Sequence, residues 1–195
     1  MTIPALAGTG ALARLAFRRD RIMLPAWVYV ITVLIASNSY SLGKLYPTAV
    51  ARDALAVSGG RNPALVFLYG RFWGDSLGAV SAWRYGVWAA IFAALMSIFL
   101  VIRHTRADEE AGRLELVGSA AVGRLAALTA ALLVAAAANV LLTVLLVIVL
   151  ILIGLPAAGS VAFALAITTC SLAFAAVAAA VSASGRASTH HRSAV

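Results

Sequence analysis

The stretch that decides the fold lies at residues 140–169 and reads VLLTVLLVIVLILIGLPAAGSVAFALAITT. It is the middle of an uncharged run from Leu125 to Gly185. About 20 apolar residues suffice for a helix to cross a bilayer core about 30 Å thick, so this run must cross twice. The break falls at the external turn 154–160, whose turn-forming residues are Gly154, Pro156, Gly159 and Ser160. Ser160 is also a candidate N-cap for the second arm. We expect a helical hairpin with transmembrane arms at 125–153 and 161–183.

Two shorter uncharged runs precede the hairpin, at 22–43 and 85–102. Hydrophobic residues make up 63% of the 195 residues and charged residues only 11%. A soluble protein has roughly a quarter of its residues charged, so this composition indicates a membrane protein. The sequence therefore predicts an all-α membrane protein with four transmembrane helices, whose even number places both termini on the same side.

The arginines predict which side that is, because cytoplasmic loops are enriched in Lys and Arg. Four lie in the N-terminal segment 1–21, four in the charged segment 103–124 and two in the tail 184–195. The external segment 44–84 spreads five basic residues over its length, and the 154–160 turn has none. We expect a multi-pass membrane protein with both termini in the cytoplasm. The net charge of +8 then reflects topology and lipid contact, and nucleic-acid binding is not expected.

Residues 5–19 are predicted to form an interfacial amphipathic helix before the first span. Helical periodicity places Leu12 and Leu15 on one face and Arg14 and Arg18 on another, as suits a helix lying along the inner leaflet. A disordered basic tail is the alternative, because two glycines early in this segment weaken a helix.

The external segment is predicted to contain two short helices, Thr48–Val57 and Ala64–Tyr69. Asn62 and Pro63 have the arrangement of an N-cap and a first turn, and Gly70 would end the second helix. Aromatic residues gather around it: Phe67, Tyr69, Phe72, Trp73, Trp83, Tyr85 and Trp88. We expect these rings to anchor the segment at the membrane–water boundary. A ligand-binding role is the alternative.

The hairpin arms are rich in alanine, and small residues let helix backbones approach closely in a membrane. We therefore expect these faces to pack against other helices. Four polar residues could form hydrogen bonds across such contacts, with substrate contact as the alternative role: Asn139, Thr143, Thr168 and Thr169.

The charged segment begins RHTRADEEAGRLELVG and holds four of the chain's seven acids, Asp108, Glu109, Glu110 and Glu115. Thr105 followed by Asp108 resembles a capping box, which predicts that a short helix starts there. Arg106 with Glu110, and Glu109 with Arg113, are spaced to pair along its surface. Anionic headgroups attract Lys and Arg rather than carboxylates, so a protein partner is one explanation of the acids. A solvated helix lying on the headgroups is the other.

The segment RHTRADEEAGRLELVGSAAVGR, followed by an Ala/Leu-rich hairpin, resembles the permease subunits of actinobacterial type-2 ABC exporters, the polyketide antibiotic exporter group. YPTAVARDALA, NPALVFLYG and the Trp83 region are similar to the first external segment of that family. The resemblance covers nearly the whole chain up to about Arg186, but family members have more helices, so the chain resembles an N-terminal portion. In that family the loop between the second and third helices is a coupling helix that docks on the ATP-hydrolysing subunit. The resemblance implies that role here for Asp108, Glu109, Glu110, Gly112, Arg113 and Glu115, with Thr105 at the predicted start.

These features predict a permease component of an ATP-driven exporter of lipophilic, antibiotic-like compounds. The chain lacks a phosphate-binding P-loop motif, so we expect ATP hydrolysis on a partner subunit and no enzymatic activity, cofactor or metal here. No ionisable residue lies within the four predicted spans, which argues against proton or sodium coupling. Expected partners are an ATP-binding ABC subunit, further permease helices or a second copy, and the lipid bilayer. The alternative is a non-transporting scaffold or truncated fragment that only packs against other helices.

Overall fold

The computed structural model describes residues 7–110 and 125–192, with side chains described at 7–105 and 125–184. These residues form helices and connections, with no strand among them. The helices are α1 (Thr9–Arg19), α2 (Met23–Leu45), α3 (Ala49–Arg61), α4 (Pro63–Tyr69), α5 (Leu77–Glu110), α6 (Ala126–Leu152) and α7 (Ala157–Arg192). Within the described ranges, four segments are long and apolar enough to cross a membrane: Met23–Leu45, Leu77–Thr105, Ala126–Leu152 and Ala157–Ser184. The prediction of an all-α membrane protein is confirmed.

The turn of the hairpin is built on a glycine and a proline. Gly154 has φ 94°, a backbone conformation that favours glycine. Its N–H donates to Ile151 O at 2.9 Å, and Leu155 N donates to Leu150 O at 3.1 Å, which together end α6 in a Schellman motif. Pro156 then leads directly into α7.

Ser160 is not the N-cap of α7, contrary to the sequence-based prediction. The helix begins three residues earlier, because the Pro156 carbonyl already accepts the first helical hydrogen bond, from Ser160 N at 2.9 Å. The Ser160 hydroxyl donates to the same carbonyl at 3.0 Å. Proline fixes a φ compatible with helix, so the chain can turn and start α7 without a serine cap.

Helix α5 extends well past both ends of the predicted span 85–102. It has 34 residues, which at a rise of about 1.5 Å per residue makes it about 50 Å long. A bilayer core is about 30 Å thick, so α5 is long enough to project from it. The start of the charged segment therefore belongs to the same helix as the span.

The described residues divide into two units. The first comprises residues 7–26, 94–110, 125–139 and 171–192, and the second comprises residues 27–93 and 140–170. In the first unit, Val101 of α5 is buried with Ala135 of α6 and with Ala175 and Ala179 of α7. Alanine at these contacts lets the backbones approach closely. The predicted packing of the alanine-rich arms is confirmed within this unit.

The second unit contains the two short helices predicted for the external segment. Thr48 caps α3, its hydroxyl accepting from Ala51 N at 3.2 Å. Asn62 caps α4, its side-chain oxygen accepting from Ala64 N at 3.0 Å. Gly70 ends α4 with φ 77°, as predicted.

Trp83 is the centre of the external segment. Its indole N–H donates to Gly70 O at 2.9 Å. The rings of Tyr69 and Phe72 lie 5.2 Å and 5.5 Å from it, between centroids, in tilted and edge-on arrangements. The Trp83 side chain is only 7% exposed, so the prediction that it anchors at the membrane boundary is wrong. The ring is buried because it fills the space between α4 and the start of α5.

Two other aromatic residues of the segment remain exposed. Phe67 is 93% exposed and Trp73 is 82% exposed, with the Arg71 guanidinium 5.5 Å from the Trp73 ring centroid. For these two residues, anchoring at the membrane boundary stays a prediction.

The side chain of Arg52 joins parts of the external segment by hydrogen bonds to backbone carbonyls. Its Nε donates to Asp75 O at 2.6 Å, and its Nη1 donates to Tyr46 O at 3.0 Å and to Pro47 O at 3.1 Å. One guanidinium thus satisfies carbonyls both before α3 and before α5. Its five donors make arginine suited to such a junction.

Candidate functional site

Thr105 does not start a helix, contrary to the capping-box interpretation. It lies within α5, and its hydroxyl donates to Val101 O, four residues earlier, at 2.9 Å. It also approaches Ser182 Oγ of α7 at 3.4 Å. A threonine inside a helix commonly donates its hydroxyl to the preceding turn, and because α5 is already helical before Thr105, no helix starts there for it to cap. Thr105 therefore joins α5 to α7 instead of separating the span from a new helix.

The acidic residues continue directly from this point. Asp108, Glu109 and Glu110 occupy the last turn of α5, where only the backbone is described. Gly112, Arg113 and Glu115 lie outside the described residues, as does the rest of the charged segment to residue 124. The expected side-chain pairs of Arg106 with Glu110 and Glu109 with Arg113 also lie outside what is described.

A buried ionic cluster lies just before these acids. The two oxygens of the Asp20 carboxylate face consecutive residues of α5: Oδ2 is hydrogen-bonded to His104 Nε2 at 2.5 Å, and Oδ1 lies 3.2 Å from Arg103 Nε. The second contact is an ion pair without hydrogen-bond alignment. Arg103 Nη1 also contacts Met23 Sδ at 3.0 Å. We call Asp20, Arg103 and His104 the Asp20 cluster.

The burial of the Asp20 cluster makes its pairing energetically important. The Asp20 side chain is 0% exposed and His104 is 8% exposed, whereas Arg103 is 37% exposed. A buried carboxylate loses several kcal/mol of hydration, and removing its partner typically costs about 3–5 kcal/mol because the charge stays uncompensated. Asp20 therefore binds the α1–α2 connection tightly to α5.

The Asp20 cluster was not predicted from the sequence. Asp20 lies among Arg18, Arg19 and Arg21, and the arginines of this segment predict topology and an amphipathic helix but no ion pair. His104 and Asp20 are 84 residues apart in sequence, so no local spacing indicates that they meet. The available signal was the one acid within a basic segment, RRDR, since a positive-inside pattern does not call for a carboxylate there. Asp20 and His104 lie just outside the predicted spans 22–43 and 85–102. The absence of ionisable residues within those spans therefore says nothing about them.

A small cavity borders His104. It is lined by four residues of α1, by His104, and by Ala127 and Ala130 of α6. Its volume is about 50 Å³, whereas pockets for drug-sized ligands span about 300–1,000 Å³. The cavity is therefore large enough for a few waters and too small for a lipophilic cargo.

A second buried polar group joins three helices in the first unit. Asn139 Nδ2 of α6 donates to Ser97 Oγ of α5 at 2.8 Å, and Ser97 Oγ lies 2.8 Å from Ser171 Oγ of α7. All three side chains are 0% exposed. The predicted role of Asn139 in a hydrogen bond between helices is confirmed.

The second unit contains a simpler contact of the same kind. The hydroxyls of Thr143 in α6 and Thr168 in α7 are hydrogen-bonded to each other across the hairpin. The prediction for these two threonines is confirmed, whereas Thr169 is exposed.

The chain is similar in sequence to part of a known protein. No family model matches the chain. It is 43% identical over 173 residues, 88% of its length, to a multidrug efflux system permease protein of Mycobacterium tuberculosis. The chain spans 31% of the length of that relative. The chain is thus similar over nearly all of its length to part of an efflux-system permease, which confirms the resemblance to exporter permeases predicted from the charged segment.

Proposed function

We propose that the chain is a permease component of an ATP-driven exporter of lipophilic, antibiotic-like compounds. The observation that carries this proposal is its 43% identity, over 88% of the chain, to a protein named as a multidrug efflux permease. Four helices suited to crossing a membrane support it. In this proposal the chain lies in the plasma membrane with both termini in the cytoplasm, as the arginine distribution favours.

In the same proposal, a separate ATP-hydrolysing subunit docks on the charged segment at Asp108, Glu109, Glu110, Gly112, Arg113 and Glu115. The continuity of α5 supports this role. Because the backbone is helical from Leu77 to Glu110, a displacement applied at the acidic end is passed along a rigid rod into the span. Further permease helices or a second copy would complete the cargo path.

A double charge reversal tests the docking. Glu109→Lys with Glu110→Lys places two cations where two acids stood, so we expect the chain to lose both its co-purifying ATPase activity and its export of ethidium from cells. The matched control is Asp53→Lys with Asp75→Lys, which reverses two exposed acids of the external segment. This control is expected to retain the ATPase.

The outcomes separate the candidate functions. Retention of both the ATPase and ethidium export in the Glu109/Glu110 variant would contradict docking at these acids. If no ATPase activity co-purifies with the wild-type chain from the membranes of its host, the result would favour the scaffold alternative. In that alternative the alanine-rich helices only pack against other helices.

A further inference from the structure

Asp20 is the joint between α1 and α2 by its backbone as well as by its side chain. Its N–H donates to Ala16 O in the last turn of α1 at 2.9 Å, and its carbonyl accepts from Leu24 N in the first turn of α2 at 2.9 Å. Because both backbone groups are engaged, the Asp20 backbone is fixed to the end of α1 and to the start of α2.

The residues that Asp20 contacts on α5, Arg103 and His104, are the first two residues of the charged segment. Arg103 and His104 precede Glu110 by fewer than two helical turns, since His104 to Glu110 is about 9 Å of helix. The hydroxyl of Thr105 ties the same turn back to Val101 O. The two residues that Asp20 contacts are therefore fixed to the acidic end of the helix.

The surroundings leave this contact room to change. The cavity of about 50 Å³ lies against His104 and is lined on α1 by Leu12, Leu15, Ala16 and Arg19. Because this space is already unfilled, a small shift of His104 into it does not need to displace core side chains.

We propose that Asp20 is a positioning residue for energy coupling: it holds Arg103 and His104 so that α1 and the start of α2 move together with the charged segment. This inference rests on the proposed function, in which an ATPase acts on that segment. The ATPase would bind the acids beyond residue 105, and Asp20 would transmit the movement without contacting ATPase, ATP or cargo.

The primary variant is Asp20→Asn, which keeps the shape and removes the charge. We expect it to retain the co-purifying ATPase and to keep ATP hydrolysis within about twofold of wild type, while ethidium export per ATP falls about fivefold or more, the lower end of a typical coupling energy. His104→Gln, which removes one of the two contacts, is expected to act in the same direction. Asp53→Asn is the matched control, because Asp53 is an exposed acid of α3, and it is expected to export normally.

A second readout does not depend on the ATPase. Spin labels at Arg14→Cys in α1 and Leu95→Cys in α5, in a Cys170→Ser background, report the distance between the two helices. Both positions are exposed. We expect one narrow distance distribution in the wild-type background and a broader one with Asp20→Asn.

Three results would overturn the proposal. Export per ATP equal to wild type in Asp20→Asn excludes a coupling role, and an unchanged label distance excludes the joint itself. Loss of the ATPase together with export would make Asp20 part of the docking surface or of the fold. A wild-type chain that retains no ATPase would instead contradict the proposed function, and the label distances then decide alone whether Asp20 joins α1 to α5.

Discussion

Gly59 of α3 lies directly against the six-membered ring of Trp83. A Cβ atom at this position would lie 2.8 Å from Trp83 Cη2 and 3.2 Å from Cζ2, whereas a Cβ at Gly60 would meet nothing within 4 Å. The indole has little freedom to retreat, because its N–H is bonded to Gly70 and two aromatic rings pack on it. The external segment therefore depends on the absence of a side chain at Gly59.

Gly59→Ala is expected to lower the free energy of unfolding by about 1–2 kcal/mol. Overpacking costs about 1–3 kcal/mol, and the better helix propensity of alanine returns up to about 1 kcal/mol. Gly60→Ala has the same gain in propensity without the clash, so it should be neutral or stabilising. Thermal unfolding in one detergent, followed by tryptophan fluorescence, compares the two variants. Equal melting temperatures would contradict the packing of Trp83 on Gly59.

Single residues were predictable where the signal is local to a turn. Asn62 and Gly70 bound α4 as predicted, because a cap and a left-handed glycine act within a few residues. Thr105 and Ser160 have the residue type of an N-cap, but each bonds to a carbonyl four residues earlier. Whether such a residue caps a helix depends on whether the preceding backbone is already helical, which the residue type does not reveal.

At the scale of helices, Ser97 is the central hydroxyl of the polar contact among α5, α6 and α7. It accepts from Asn139 and shares a hydrogen bond with Ser171. Asn139 was recognised in the sequence because an amide is rare in such an apolar arm. Ser97 was not, because serine is common in membrane helices and its partners lie 42 and 74 residues away.

Ser97→Ala is expected to destabilise the bundle by about 1–2 kcal/mol, since hydrogen bonds between membrane helices contribute about 0.6–2 kcal/mol each. The matched control is Ser184→Ala, because the exposed Ser184 hydroxyl bonds only to carbonyls of its own helix. It should change stability by less than about 0.5 kcal/mol, as surface substitutions usually do. Unfolding by SDS titration, followed by circular dichroism, measures both. A Ser97 variant as stable as the control would show that the polar contact adds nothing.

The length of α5 shows why the end of a span is not the end of a helix. The predicted span stopped at Ile102 because Arg103 is charged. The backbone continues to Glu110, since arginine, alanine and glutamate are good helix formers. Charge thus predicts where the apolar run ends, but it does not end the helix.

At the scale of the whole molecule, the arginine distribution favours cytoplasmic termini, with the charged segment on the same side and α3 on the other. In the chain, α3 precedes the membrane-spanning part of α5 and Glu109 follows it. In a Cys170→Ser background, we expect Asp53→Cys to react with a membrane-impermeant maleimide in intact cells. We expect Glu109→Cys to react only after the cells are opened. Labelling of Glu109→Cys in intact cells would contradict the orientation and, with it, docking of an ATPase there.

The sequence by itself determined the four spans, the hairpin turn and the two short helices of the external segment. These features depend on the length of apolar runs and on residues within one or two turns, so they are already present in the order of amino acids. Only the tertiary structure decided that Asp20 faces Arg103 and His104, that Trp83 is a core residue and that Ser97 joins three helices. Each of these depends on residues far apart in sequence, whose approach is set by how the helices pack against one another.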